Sequence, residues 1–363
     1  MKILFISRSG LFRDKGGDTV QLLQTAASLR ELGVDVDVRL CDEIIDYAPY
    51  DLLHFFNIIR PADILLHIRK SKKPYLVSTI FVDYGEYEKK VRKGIVGMFF
   101  KYISSDAIEY AKVLARYFLK GEKIISREYI WLGQKRAVKK IMSNASMLLP
   151  NSHSEYKRLI AHYHCSAGYR VIPNAIDPQL FKNVNNEKIR DENFVICVGR
   201  IEGRKNQLNL IKSVQGSRFR LTLIGSPAAN QASYFEACKI AAGTNVEFID
   251  NLPQEQLLQY YSQASIHVLP SWFETTGLSS LEAAAMGCRV VITDKGDTKE
   301  YFEDLAFYCE PGSTDSIREA IERASEAGFS DTLQKKILRE YTWQIAAFKT
   351  LDAYKIVLSN KGL

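Results

Sequence analysis

The sequence predicts an α/β protein built from two doubly wound units in tandem. Short apolar runs alternate with amphipathic helical stretches along most of the chain. The alternation restarts near Phe194, after the less periodic stretch Ile172–Phe194. A chain of 363 residues, 46% hydrophobic and 25% charged, is large enough for two separate cores and is globular in composition.

The first series opens with KILFIS, a short strand, followed by a glycine-containing loop. Leu22, Leu23, Ala26 and Leu29 recur at helical spacing and predict a helix over about Thr19–Leu32. Gly33 ends it, and VDVDVRL alternates with period two, as a strand does. YDLLHFF, PYLVSTIF and ASMLLPNS supply three more strands, the last leading into a helix. The second series runs FVICVGR, helix Gln207–Val214, RLTLIGS, helix Tyr234–Ala242, VEFIDN, helix Glu255–Gln263 and IHVLPS. A small-residue helix over Gly277–Met286, then CRVVIT and AFYCE, complete it. YTWQIAAFKTLDAYKIVL reads as a final amphipathic helix. The expected domains are 1–172, 173–342 and a terminal helical segment, 343–363.

Six cysteines stand singly with no CxxC pair, which suits a reducing compartment better than a disulfide framework. The apolar run at the N-terminus is too short for a signal-peptide core, and Gly94–Phe100 is far below membrane-spanning length. A cytoplasmic protein is expected. Net charge is +7, but residues 1–172 carry 28 basic against 18 acidic side chains while the remainder carries 21 against 24. An anionic partner meeting the first half would explain that asymmetry. Residues 89–140 concentrate it, with 14 Lys and Arg against 4 Asp and Glu among aromatics such as Tyr110, Tyr129 and Trp131. That segment is either a solvated helical pair packing one aromatic face, or a surface for anionic lipid headgroups.

Two constellations carry chemistry. In RIEGRKNQ, Arg200 and Lys205 follow a strand and precede a helix, where open α/β sheets bind anions. In PSWFETTGLSSLEAAAMGCRVV, Glu274 and Glu282 bracket a helix start at which Gly277 permits close approach and the amides around Gly277 and Leu278 can hold a phosphate. Carboxylates repel phosphate, so these acids are expected to accept hydrogen bonds from hydroxyls such as those of a sugar, each contributing roughly 1.5–3 kcal/mol.

VGRIEGRKN followed about seventy residues later by FETTGLSSLEA resembles the retaining GT-B glycosyltransferases of family four (glycosyl transferases group 1). The likeness extends from VIPNAID through LIGS in the second half and, more loosely, through KILFIS, the Gly16–Gly17 loop, YDLLH and LLPNSHSEYKRL in the first. It implies two Rossmann-like domains facing across a cleft, with the last helix crossing back to the first, acceptor-side domain. It implies a nucleoside-diphosphate sugar as donor, a glycan or lipid-linked acceptor, and transfer with retention and no metal or other cofactor. By motif match, Arg200 and Lys205 would stabilise the leaving diphosphate, Glu274 would meet the transferred sugar, and Glu282 the ribose. Gly277 and Leu278 would meet the phosphates, and Gly16 and Gly17 would let the first domain's loop close on the diphosphate. The loop near Asn251–Pro253 is the expected base pocket. Peripheral association with the cytoplasmic membrane face in polysaccharide biosynthesis is a further implication.

Three positions depart from the family pattern. The family often has His near the end of PYLVSTIF, where this chain has Phe81 and Val82, with Asp83 nearby. PNAID places Ala175 where glycine is common, and Thr276 stands at an often aromatic position. The first departure keeps alive a rival class, a GT-B scaffold that binds nucleotide or glycan without transferring. An NAD-dependent oxidoreductase is disfavoured because no GxGxxG follows KILFIS, and no nucleic-acid module is evident. Asp35 and Asp37 match a metal-binding DxD but lie in an alternating strand. His162, His164 and Cys165 cluster without an evident fourth ligand, so a surface turn is expected. His54 would be either a cleft residue or a hydrogen-bonded structural one.

Overall fold

A computed structural model describes residues 1–14, 16–82, 105–120, 126–181, 190–328 and 330–360. Asp83 and much of the basic segment 89–140 lie outside the described residues. The chain divides into two compact units, Met1–Phe81 with Arg92–Asn174 and Trp343–Leu363, and Ala175–Thr342 with Val82–Val91.

The first unit holds a five-stranded sheet of β1 (Lys2–Ser7), β2 (Asp35–Leu40), β3 (Leu52–Phe56), β4 (Tyr75–Ser78) and β5 (Met147–Leu149). All pairings are parallel and the order is β2-β1-β3-β4-β5, so the winding reverses between β1 and β3. β3 and β4 are buried along their full length, the signature of a sheet covered on both faces. Helix Gly17–Glu31 packs against helix Trp343–Ser359, which therefore belongs to this unit's layer. Tyr354 of that last helix places its hydroxyl 2.6 Å from His54 Nδ1 in β3, and His54 Nε2 lies 2.9 Å from Ser78 Oγ. His54 is thus a structural histidine: it is 1% exposed, and burial pushes its pKa down to about 3.

The second unit holds a six-stranded parallel sheet of β6 (Asp191–Val198), β7 (Arg220–Ile224), β8 (Val246–Ile249), β9 (Ala264–Leu269), β10 (Arg289–Thr293) and β11 (Phe307–Cys309). Its order is β11-β10-β9-β6-β7-β8. The chain moves outward from β6 through β7 to β8, then returns to the other flank of β6 with β9. The winding therefore reverses between β6 and β9, and that is where a doubly wound sheet opens a crevice at the carboxyl ends of its strands.

Weaker sequence signals resolve locally. Asp35 and Asp37 both pair with Lys2, at 3.3 and 3.4 Å, and Asp37 also accepts from Tyr50 at 2.8 Å. His162 pairs with Asp106 at 3.0 Å, whereas His164 caps its helix in left-handed backbone, so the two histidines do not act together. Within the described part of 89–140, Tyr129 is buried and bonds Gln134 at 2.7 Å, while Trp131 is 87% exposed.

Candidate active site

The two loops that carry the second half's motifs flank the β6/β9 reversal. β6 ends at Val198; Gly199 and Arg200 follow, and a short turn, Gly203–Lys205, lies between the strand and helix Gln207–Val214. β9 ends at Leu269 and leads through the Trp272–Thr276 loop to helix Leu278–Ala285. The two loops are stitched together by backbone and side chain. The Trp272 N–H donates to the Arg204 carbonyl at 2.9 Å. Asn206, in left-handed backbone at φ 63°, donates from Nδ2 to the Pro270 carbonyl at 3.0 Å and the Pro311 carbonyl at 2.7 Å. An asparagine fits because its short amide tolerates that conformation and satisfies two loop carbonyls at once.

Lys205 Nζ lies 2.5 Å from Glu274 Oε1, so the cation of one motif and the first acid of the other form an ion pair. The side chains are 25% and 7% exposed. The floor beneath them is neutral. Burial pushes the Cys197 thiol in β6 up to about 12 and the His267 imidazole in β9 down to about 3, with Lys205 adding to the latter. His267 Nδ1 lies 3.3 Å from Ser280 Oγ in the first turn of helix Leu278–Ala285. Charges above so apolar a floor interact more strongly than in water.

The backbone of Glu274 is held on both sides by the loop after β10. Its N–H donates to the Lys295 carbonyl at 3.1 Å, and its carbonyl accepts from Asp297 N–H at 2.9 Å. Between them Gly296, at φ 103°, passes so close that a Cβ there would lie 2.0 Å from the Glu274 carbonyl oxygen. Only glycine fits. Gly277 caps the helix at φ 73°, and Leu278 opens it, so the first helical amides point out at the strand ends.

Arg200 is 44% exposed, with its guanidinium 3.8 Å from Glu202 Oε1; the Arg204 guanidinium meets the same oxygen at 2.7 Å. Glu282 sits farther along the helix and accepts from the buried Tyr261 hydroxyl at 3.0 Å. Burial raises its pKa to about 7, and the tyrosine bond pulls the other way. Asn251, in the loop after β8, accepts from Ser226 N–H at 3.2 Å. Thr276 and Ala175 are both buried.

Gly16 and Gly17 lie in the first unit. Gly16 is in extended backbone, φ −148°, and Gly17 begins helix Gly17–Glu31, so Gly16 does not need a glycine's backbone freedom. The preceding loop is organised by Arg8, which bonds Asp18 at 2.8 Å and the Gly10 carbonyl at 2.8 Å. At the end of β4, Phe81 is 6% exposed and its ring packs 5.8 Å from His162 and 5.9 Å from Tyr163. Asn206, Gly296 and Glu202 were not singled out from sequence. Gly296 gave no sequence signal, because the close approach it permits is to Glu274 in a different loop.

The arrangement is a cationic and helix-start site beside a paired carboxylate, the chemistry of a ligand with anionic and hydroxylated parts. The family model described as glycosyl transferases group 1 matches residues 180–340. That match spans most of the second unit, Ala175–Thr342. An uncharacterized glycosyltransferase of Methanocaldococcus jannaschii is 28% identical over 216 residues, 53% of this chain and 55% of that protein. The chain spans about half the length of the curated relatives it matches first. Among solved structures, sucrose-phosphate synthase from Thermosynechococcus elongatus aligns over 99% of this chain and 100% of its own, with TM-score 0.75 and 17% identity. The Anabaena protein HepE, solved in complex with UDP and glucose, aligns over 100% of each chain at TM-score 0.64 and 17% identity. The fold is accordingly GT-B, two Rossmann-like units with parallel sheets. No helix among the described residues is long and apolar enough to cross a membrane.

Proposed function

We propose that this chain transfers a hexose-type sugar, with retention and without a metal, from a nucleoside-diphosphate donor to a glycan or lipid-linked acceptor in the synthesis of a surface polysaccharide or other glycoconjugate. The observation that carries the proposal is the meeting of Lys205 and Glu274 at the β6/β9 reversal, beside the helix start at Gly277. In the resting site Lys205 neutralises Glu274. A donor diphosphate drawn to Arg200, Lys205 and the amides at Gly277 and Leu278 shares that lysine, and Glu274 is then free to accept from sugar hydroxyls. As the glycosidic bond breaks, negative charge grows on the leaving diphosphate beside two cations, and one such contact is worth about 3–4 kcal/mol in the transition state. Glu282 would accept from the ribose, Asn251–Pro253 would border the base, and Gly16 and Gly17 would let the first unit's loop approach the phosphates.

The Anabaena protein's complex with UDP and glucose makes a uridine nucleotide the first donor to test. A thermal-shift screen of UDP, GDP, dTDP and their sugars is the direct experiment, since a ligand at a hundred times its Kd stabilises the folded state by about 2.7 kcal/mol. A shift with at least one nucleotide, lost in Lys205→Ala, is the expected result; no shift with any sinks the donor assignment. The second reading, a binding scaffold that has lost transfer, is favoured by Phe81, whose ring is packed inward at the strand end. Nucleotide binding without sugar-nucleotide turnover would select it. Peripheral attachment to an anionic, cytoplasmic membrane face through 89–140 rests on the basic composition and on exposed Trp131. Flotation with neutral and anionic liposomes tests it, and equal binding to both counts against it.

A further inference from the structure

Ile80 is the one β-branched residue with positive φ among the described residues, at 45°. A β-branched side chain crowds its own backbone in that region, so the conformation persists only where the surroundings over-determine it. Here they do, through one buried carboxylate. Glu155 is 0% exposed, and its Oε1 accepts both from the Thr79 hydroxyl and, at 2.8 Å, from the Phe81 N–H. Its other oxygen accepts from Asn151 N–H at 2.8 Å, beyond the end of β5, and its own N–H is held by Ser152 Oγ at 2.8 Å. The residues on either side of Ile80 are therefore tied to a single group, while the Thr79 carbonyl accepts from Ile58 N–H at 2.9 Å.

A chain reversal alone does not require this. The end of β3, directly alongside, makes its left-handed turn with Asn57 at φ 73°, a residue type that tolerates it. The strained turn stands at a carboxyl end of a doubly wound sheet, the edge where such sheets present backbone to ligands. We propose that Ile80 and Glu155 are positioning residues for glycosyl transfer: Glu155 forces the turn after β4 into one strained shape, and that shape fixes the backbone the first unit presents at its own sheet edge. The positioning role rests on the transfer reading above.

Three variants test it. Ile80→Ala and Ile80→Gly both delete the side chain, but only glycine accepts positive φ without strain. Ile80→Gly should therefore unfold a few degrees above Ile80→Ala, reversing the usual order of these residues. Sugar-nucleotide turnover is followed as UDP release from UDP-glucose with water taking the glucosyl group, and GDP-mannose and dTDP-glucose are assayed in parallel. Ile80→Gly, with a loosened turn, and Glu155→Gln, with one acceptor oxygen lost, should each turn over about tenfold or more slowly. Their nucleotide-induced thermal shifts should stay at the wild-type value. A purely structural role would change unfolding temperature and leave turnover unmoved. Greater stability of Ile80→Ala than Ile80→Gly overturns the strain, and wild-type turnover in both Ile80→Gly and Glu155→Gln overturns the positioning role. If the wild type neither binds nor turns over any nucleotide, the transfer reading fails and takes the positioning role with it, while the Ala-against-Gly order still decides the strain.

Discussion

The strand ends of the two sheets solve the same problem with different chemistry. After β6 and β9, formal charges meet: Lys205 on Glu274 at 2.5 Å, with Arg200 on Glu202 earlier in the same loop as Lys205 and two neutral, buried side chains beside the pair. After β4 and β5, one buried carboxylate is surrounded by a hydroxyl and two backbone amides, and Asn151 Oδ1 is bonded by Gln21 at 2.8 Å. The first arrangement can respond to an arriving anion because its cations are partly exposed. The second defines a backbone shape. Paired charge at a sheet edge serves binding and transition-state stabilisation, whereas a buried carboxylate held by several donors rigidifies the backbone around it.

That contrast is broken most directly at Lys205. Lys205→Ala or Glu274→Ala should lower transfer by a factor of about 100–1,000, the cost of removing one preorganised electrostatic contact. Steady-state turnover with the donor found by thermal shift measures it, and wild-type turnover in either variant removes both residues from the chemistry. Gly296→Ala should cost about 2–4 kcal/mol in denaturant unfolding, because its Cβ cannot coexist with the Glu274 carbonyl 2.0 Å away. It should also lower turnover by displacing Glu274; an unaltered midpoint would show that the clamp after β10 is slack.

The pH dependence sharpens the comparison next. The folded-state pKa of Glu282 is raised to about 7, so its contribution favours the folded state below the ordinary carboxylate range and is lost as pH rises to about 7. Glu282→Gln should remove that loss and be more stable than wild type above pH 7 by at most about 3 kcal/mol, seen as a smaller decline in melting temperature between pH 5 and 8. Parallel curves for the two proteins would mean that the carboxyl is not desolvated. His54 shifts the other way in the first unit. Its folded pKa of about 3 makes its stabilisation full above pH 6.5 and progressively lost as pH falls toward 3. Tyr354→Phe, which deletes the hydroxyl 2.6 Å from that imidazole, should cost about 1 kcal/mol and leave turnover unchanged. A marked fall in turnover would show that the last helix does more than hold its unit together.

Much of the fold was legible because both sheets are parallel and buried, so their strands read as short apolar runs separated by helices. Helix Gln207–Val214 was read at its observed bounds, and others shifted by a residue or two: Ala232–Ala241 for the expected Tyr234–Ala242, and Gly17–Glu31 for Thr19–Leu32. The residue types of the second-unit site were legible as well, since a strand followed by cations, and a strand followed by Glu-x7-Glu across a helix start, are local patterns. Their meeting was not. Lys205 and Glu274 are 69 positions apart, and nothing short of the β6/β9 pairing brings them within 2.5 Å.

By itself, the sequence determined the α/β class, the restart of the alternation near Phe194 and the identity of the charged residues at the second unit's strand ends. These follow from periodicity and from residue type at strand-to-helix junctions, both of which are local. The tertiary structure alone decided that His54 is a buried structural histidine held by Tyr354, that Gly296 is demanded by the Glu274 backbone, and that Ile80 is forced into left-handed backbone by Glu155. Each of those facts is a contact between segments far apart in the chain, and the free energy that enforces it comes from burial and hydrogen bonding in a packed core, which no local pattern encodes.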